Sequence, residues 1–310
     1  MAPGVGAIRE EPEPVAGRDL LVGRTLYSGI SLGTERLVFR GLVPESEWGR
    51  MRAPLQQGNF PGPLAHGYAA VGLVEGRPCF CLHGHADRIA APPAMLHPLP
   101  PGVPPARAVL GANAETALNV VWDAGIGPGD RVSVVGLGVL GALIGRFAAR
   151  VAGASVQAVD VAPERAALAA QLGLGFAPPA AATRERDIVI HASGHPAGLA
   201  TALDLARDEG LVVEASWFGS TAVPLPLGGA FHARRLTLRS SQVGQVATSR
   251  RAAWSRGQRL AHALTLLADP ALDALFAREI AFEDMPDVMA ELDRTGASPL
   301  AIRVRYAAPT

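Results

Sequence analysis

The sequence of 310 residues contains no lysine, so all 28 of its basic residues are arginine. That absence excludes Schiff-base chemistry, a P-loop phosphate lysine and any tyrosine–lysine catalytic pair. No charge excess exists either: the 28 arginines meet 28 acids, and the pI is about 7.1. Nothing in that balance points to nucleic acid or to a membrane surface as partner. Cysteine is scarce, with only Cys79 and Cys81, two apart in PCFCLHGH. Neighbours at that spacing do not readily close a structural disulfide, and two thiols make no zinc ribbon. They read as small buried residues in a reducing compartment, and the expected location is the cytoplasm. A basic-then-apolar leader pattern and any run of ~18 apolar residues are missing, so neither a signal peptide nor a membrane span is expected. Tyrosine occurs three times, which makes each one conspicuous.

What is present centres on residues 129–164. Residues 131–135 (RVSVV) are short, apolar and β-branched, and predict a buried strand. They run into Gly136-Leu137-Gly138-Val139-Leu140-Gly141, then a helical stretch over 142–151, then a strand over 155–159 that ends on Asp160. Strand, glycine turn, helix, strand and acid, in that order, make a dinucleotide-binding fingerprint. Gly136 permits the tight turn, Gly138 leaves room for a pyrophosphate, and Gly141 lets the helix pack on the strand. The helix N-terminus offers unpaired N–H groups to phosphate. Asp160 lies 19 residues after Gly141, close to the ~20 typical of the acid that accepts from the ribose 2′-OH. A carboxylate there repels a 2′-phosphate, so NAD(H) is expected over NADP(H). Arg165 could soften that preference by swinging toward the ribose, or lie as a solvated helix residue.

With 49% apolar residues the chain can build one large or two ordinary domains. Residues 1–110 are rich in proline and glycine, with strand-like segments at 20–27, 67–74 and 78–82, and predict a compact all-β unit. A short helix is expected over 45–51 and a linker over 95–105. Helical spacing appears in the second half of 106–125. Further βα units follow: a helix over 163–172, strands at 187–191, 210–215 and 235–240, and a helix over 196–207. Their alternation predicts a doubly wound parallel sheet. Helices over 254–268 and 282–293 and a closing strand over 302–306 complete the chain, the strand pairing with the N-terminal β unit.

Three stretches carry a resemblance: Tyr27-Ser-Gly-Ile-Ser31-Leu-Gly-Thr34-Glu35, Gly67-Tyr68-Ala-Ala-Val-Gly72, and the nucleotide-binding block. Together the chain resembles the medium-chain dehydrogenase/reductase superfamily over nearly its whole length. The resemblance implies an α/β protein with a GroES-like β-rich catalytic domain, residues 1–112 and 243–310, around a Rossmann domain, residues 113–242. Departures from the family pattern are informative. Where zinc-dependent members carry metal ligands this chain has Ser31, Tyr68 and a residue near Ala112, and the four-cysteine structural lobe is absent. A catalytic zinc needs three N, S or carboxylate ligands. No metal is therefore expected, unless His66 and Glu35 build an unusual site. Among zinc-free members the motifs look like the branch containing the hydroxyethyl bacteriochlorophyllide dehydrogenase. That implies interconversion of an alcohol and a ketone with NAD(H); zinc-free quinone and enone reductases are the other precedent. By analogy with the superfamily, a homodimer is expected.

Without zinc the substrate oxygen needs a protic partner. Tyr68 stands at a ligand position, and Ser31 and Thr34 could relay or orient. Glu35 could act as a base or pair with an arginine such as Arg305. Asn113 sits where a helix should face the nicotinamide, and Glu115 reads as a helix-start acid. On the cofactor side, Ser193 and Gly194 follow one strand, Trp217 and Gly219 the next, and Ser241 and Gln242 the last. His191 and His232 read as structural. Two other functions stay open: an NADPH-dependent enone or quinone reductase, and a non-catalytic NAD(H)-binding scaffold.

Overall fold

The computed structural model describes residues 3–307. They form two compact units, one of residues 3–112 with 264–307 and one of residues 113–263.

The second unit is a six-stranded sheet in the order Gly175–Ala177, Ser155–Val159, Arg131–Val135, Arg186–His191, Ala206–Glu214, Thr237–Ser240. Every neighbouring pair is parallel. The order reverses between Arg131–Val135 and Arg186–His191, the switch point at which doubly wound sheets bind ligands outside the carboxyl ends of their strands. The central strands are buried on both faces: Val132, Val134, Val189, Ile190, Val212 and Val213 are fully enclosed. That explains why they read as continuous apolar runs rather than alternating ones. The helices Val139–Ala148, Arg165–Gln171 and Pro196–Leu205 fall where apolar periodicity places them.

The first unit is built on an antiparallel sheet. Leu21–Ile30 pairs with Ala70–Val74 and, through its two halves, with Arg88–Ala91 and the closing strand Ala301–Arg305. Tyr27 stands opposite Arg305, so the closing strand returns to the N-terminal β unit as its sequence predicts. Arg77–Cys81 continues the sheet and holds both cysteines buried as free thiols. Among the described residues no helix is long and apolar enough to cross a membrane.

Three differences from the sequence reading have physical causes. Residues 95–105 are not a bare linker: His97–Pro98 adds a short edge to Arg77–Cys81, a position where proline is tolerated because nothing beyond it needs a donor. Residues 32–39, taken only as part of a motif, form the helix Leu32–Phe39. The Rossmann unit ends at 263, not at 242. Arg259 accounts for the last of these. Its side chain is 1% exposed, bonds Glu115 Oε1 at 2.9 Å and Asn119 Oδ1 at 2.6 Å, and also donates to the carbonyls of Val243 and Gln245. The segment after the last strand is thereby fastened to the helix Gly111–Ala124. Glu115, expected as a helix-start acid, is thus the buried partner of an arginine.

Breaking a buried pair leaves one charge uncompensated, at a cost of about 3–5 kcal/mol. Arg259→Met should lower the unfolding free energy by that amount in a urea titration. A loss under about 1 kcal/mol would show that the pair does not hold the segment.

Candidate active site

The glycine turn sits at the carboxyl end of Arg131–Val135. Gly136 has φ +99, and a Cβ there would lie 2.6 Å from the backbone of Ser193. A Cβ on Gly141 would overlap the carbonyl oxygen of Gly136, whereas one on Gly138 would meet nothing within 4 Å. The first and third glycines are therefore demanded by packing, and the second opens space in front of the helix Val139–Ala148. Leu137 is fully buried, and Val139 and Leu140 form the first turn. Asp160 reaches across to this turn. Its Oδ2 accepts the Leu137 N–H at 2.6 Å and its Oδ1 the Ala162 N–H at 2.9 Å. Arg165 opens the helix Arg165–Gln171 a few residues further on.

Other expected cofactor residues line the neighbouring strand ends. Ser193 and Gly194 follow Arg186–His191, with Gly194 at φ +67. Trp217 and Gly219 follow Ala206–Glu214, with Gly219 at φ +60. Ser241 is committed elsewhere, donating to Asp123 Oδ2 at 2.6 Å. Gln242 Oε1 accepts the Gly244 N–H at 2.6 Å. Asn113 lies half-buried in the helix Gly111–Ala124.

In the β unit the structure brings Tyr68, Ser31 and Thr34 together. Tyr68 donates to Ser31 Oγ at 2.5 Å and also bonds the side chain of Thr34. Glu35, one turn into Leu32–Phe39, accepts the Ser31 N–H on Oε1 at 2.7 Å. Its Oε2 accepts from His85 Nε2 at 2.9 Å, with both side chains nearly enclosed, at 5% and 6% exposure. The expected arginine partner is absent; Arg305 pairs with Glu279 instead, because Glu35 faces inward. The chain of contacts continues to Ser28 Oγ, 2.7 Å from His85 Nδ1, and to Tyr306 OH, 2.9 Å from Ser28. Gly67, at φ +113, makes room: a Cβ there would come within 2.6 Å of the His85 ring.

Sequence reasoning missed His85, Ser28 and Tyr306. They lie 57 and 278 residues from their partners, and only the sheet pairing of Leu21–Ile30 with Ala301–Arg305 brings Tyr306 near. The one available signal was Ser28, three residues before Ser31 on a strand that ends there. His66 is the remaining polar group. Both its ring nitrogens are buried without a hydrogen-bond partner, and its ring stands edge-on to Tyr68 at 5.9 Å.

The donors present do not fit a catalytic zinc. Tyr68 and Ser31 bond each other, both oxygens of Glu35 are engaged, and no group of three His, Cys, Asp or Glu among the described residues is placed to hold a metal.

The electrostatics sort the protic groups. Burial pushes the Tyr68 phenol up to about 12, against its bonds with Ser31 and Thr34, with the Glu35 charge adding to the rise. Tyr68 therefore holds its proton at neutral pH. Burial likewise lowers His66, which favours a neutral ring. Burial also raises Glu35, but the charge and hydrogen bond of His85 and the Ser31 N–H outweigh it, and its carboxyl lies below its ordinary value. A lowered carboxyl stabilises the fold above its unfolded pKa and loses that contribution as pH falls through the folded one. Glu35→Gln should cost about 1–3 kcal/mol near neutral pH. The gap to the native chain should persist down to about 4.5, the ordinary carboxyl value, and narrow only below it in thermal melts, as pH falls through the lowered folded value. A gap independent of pH would show that Glu35 is not ionised in the fold.

No family model matches the sequence. Solved structures do match. A Sinorhizobium meliloti 1021 protein assigned as a zinc-binding dehydrogenase and bound to NADP superposes with a TM-score of 0.78 at 18% identity, over 98% of this chain and 97% of that one. The 2R,3R-butanediol dehydrogenase of Bacillus subtilis gives 0.76 at 17% identity, over 98% and 96%. Alcohol dehydrogenase TADH from Thermus sp. ATN1 gives 0.73 at 20%, over 98% of each chain. The chain therefore has the fold of these dehydrogenases, an antiparallel β unit joined to a Rossmann sheet, along its whole described length.

Proposed function

We propose that this chain is a metal-independent oxidoreductase that passes hydride between NAD(H) and an alcohol or ketone. The observation that carries the reading is the contact of Tyr68 with Ser31, backed by Glu35 and His85, where the resemblance expects metal ligands. The dehydrogenase neighbours support the reaction class, and Asp160 on the glycine turn favours NAD(H) over a cofactor carrying a 2′-phosphate.

The cofactor supplies or takes the hydride. The protein's task is then the proton on the substrate oxygen. Ser31 accepts the Tyr68 proton at 2.5 Å, which leaves the Ser31 O–H to donate to that oxygen. As a carbonyl is reduced, the oxygen takes the Ser31 proton, Ser31 recovers one from Tyr68, and a proton from solvent restores the Tyr68 phenol. Thr34 and Glu35 hold the pair in place, Glu35 through the Ser31 backbone N–H. A phenol raised to about 12 is a donor and not a base at neutral pH, so alcohol oxidation should accelerate as pH rises while carbonyl reduction should not. The same donor would serve conjugate reduction of an enone; Asp160 weighs against the NADPH that such reductases commonly use. A homodimer in the cytoplasm remains the expected setting.

With a panel of secondary alcohols and ketones, Tyr68→Phe should cut kcat at least about tenfold, the scale of general acid–base assistance, with cofactor affinity nearly unchanged. Turnover should survive dialysis against a chelator. An unchanged Tyr68→Phe rate would remove Tyr68 from the mechanism, and activity that vanished with chelation and returned with zinc would overturn metal independence.

A further inference from the structure

A second cluster of polar groups lies in the Rossmann unit. His191 ends the strand Arg186–His191 and is 0% exposed. Its Nδ1 is 2.7 Å from Oε2 of Glu214, the last residue of the adjacent strand. Its Nε2 is 2.6 Å from Oγ of Ser193, which is exposed. The carboxylate fixes the ring: Nδ1–H donates to Glu214, so Nε2 carries the lone pair and receives the Ser193 hydroxyl. Glu214 is itself held, its Oε1 accepting the Ser216 N–H at 2.6 Å, and Phe218 stacks on the imidazole at 6.0 Å and 14°.

We propose that Ser193, His191 and Glu214 form a charge-relay triad that makes the Ser193 hydroxyl a nucleophile toward activated acyl and phosphonyl esters. Nucleophile within reach of base, and base oriented by a third group, is the arrangement that activates serine on many unrelated folds. Ser193 also stands on a strand-to-helix turn, where a nucleophile is well exposed. Gly194 takes φ +67 there, and the helix Pro196–Leu205 follows. In its first turn Gly198 keeps the way clear: a Cβ would overlap Ser193 Oγ and come 2.8 Å from His191 Nε2.

The surroundings also set the substrate class. Donors for a developing oxyanion are few. The Gly194 N–H is given to Ser216 Oγ, the Ala197 N–H to His195 Nδ1 and the His195 N–H to Ser193 Oγ itself, at 3.2 Å, and Pro196 has none. The helix dipole alone remains. Such a serine should react with esters that have a good leaving group and leave amides and simple alkyl esters untouched. With an aryl ester, Ser193 Oγ bonds to the carbonyl carbon as its proton passes to His191 Nε2. The carbon–oxygen bond to the leaving group breaks, and the phenol departs with that proton. Water then releases the carboxylic acid by the same route and restores the hydroxyl. A fluorophosphonate stops at the first stage, as the phosphorus–fluorine bond breaks and HF leaves.

The full chain, free of cofactor, is treated with an aryl fluorophosphonate and followed by intact mass and peptide mapping. One adduct on Ser193 is expected. Ser193→Ala, an exposed change, should abolish it. His191→Asn should slow labelling at least about 100-fold and the near-isosteric Glu214→Gln at least about tenfold, with melting transitions retained. No adduct on the native chain, an adduct on another residue, or equal labelling rates in native and Glu214→Gln protein would each overturn the proposal. None of these results depends on the dehydrogenase reading, which needs no reactive serine.

Discussion

The chain can turn at Gly136 only because Gly141 carries no Cβ, and the Rossmann-type unit depends on that contact. It lets the helix Val139–Ala148 begin against the strand end, so that its N-terminus faces the open space in front of Gly138. It also leaves the Leu137 N–H pointing at Asp160, and the acid and the turn hold each other. Gly136 touches Ser193 from the next strand across the switch point, so the turn and the loop after Arg186–His191 are placed together. A side chain at either glycine would disturb the helix, the acid and that loop at once.

The β unit solves a different problem, that of keeping polar groups dry. Glu35, His85, Ser28 and Tyr306 are enclosed, and an unpaired charge in such a place would be costly. They form one continuous chain in which each is answered by the next. At its open end the chain presents Ser31 and Tyr68, neutral hydroxyls that give and take protons without a net charge. His66, with two unanswered ring nitrogens, stands outside that chain of contacts. Buried polar atoms without partners tend to mark places where water or a ligand completes the set.

Much of the Rossmann unit was legible because its signals are local. Strand 131–135, the glycine turn and Asp160 lie within 30 residues, and each needs its residue type for a reason visible in the sequence. Gly175–Ala177 was not legible, since three residues carry no period. In the candidate site, the grouping of Tyr68, Ser31 and Thr34 followed from motif positions, but the partners of Glu35 did not. Glu35 reads as a base or half of an arginine pair and meets His85, whereas Glu115 reads as a helix-start acid and meets Arg259; both partners lie far away in the chain. The contact of His191 with Glu214 was not legible either, because Glu214 arrives from another strand, a pairing that only sheet register reveals.

The proposed preference for a dinucleotide without a 2′-phosphate rests on Asp160 and the glycine turn. Titration of the purified chain with NADH and with NADPH, read by nicotinamide fluorescence, tests this directly. NADH should bind at least roughly tenfold more tightly, a difference of about 1.4 kcal/mol. Tighter binding of NADPH, or binding of neither, would contradict it.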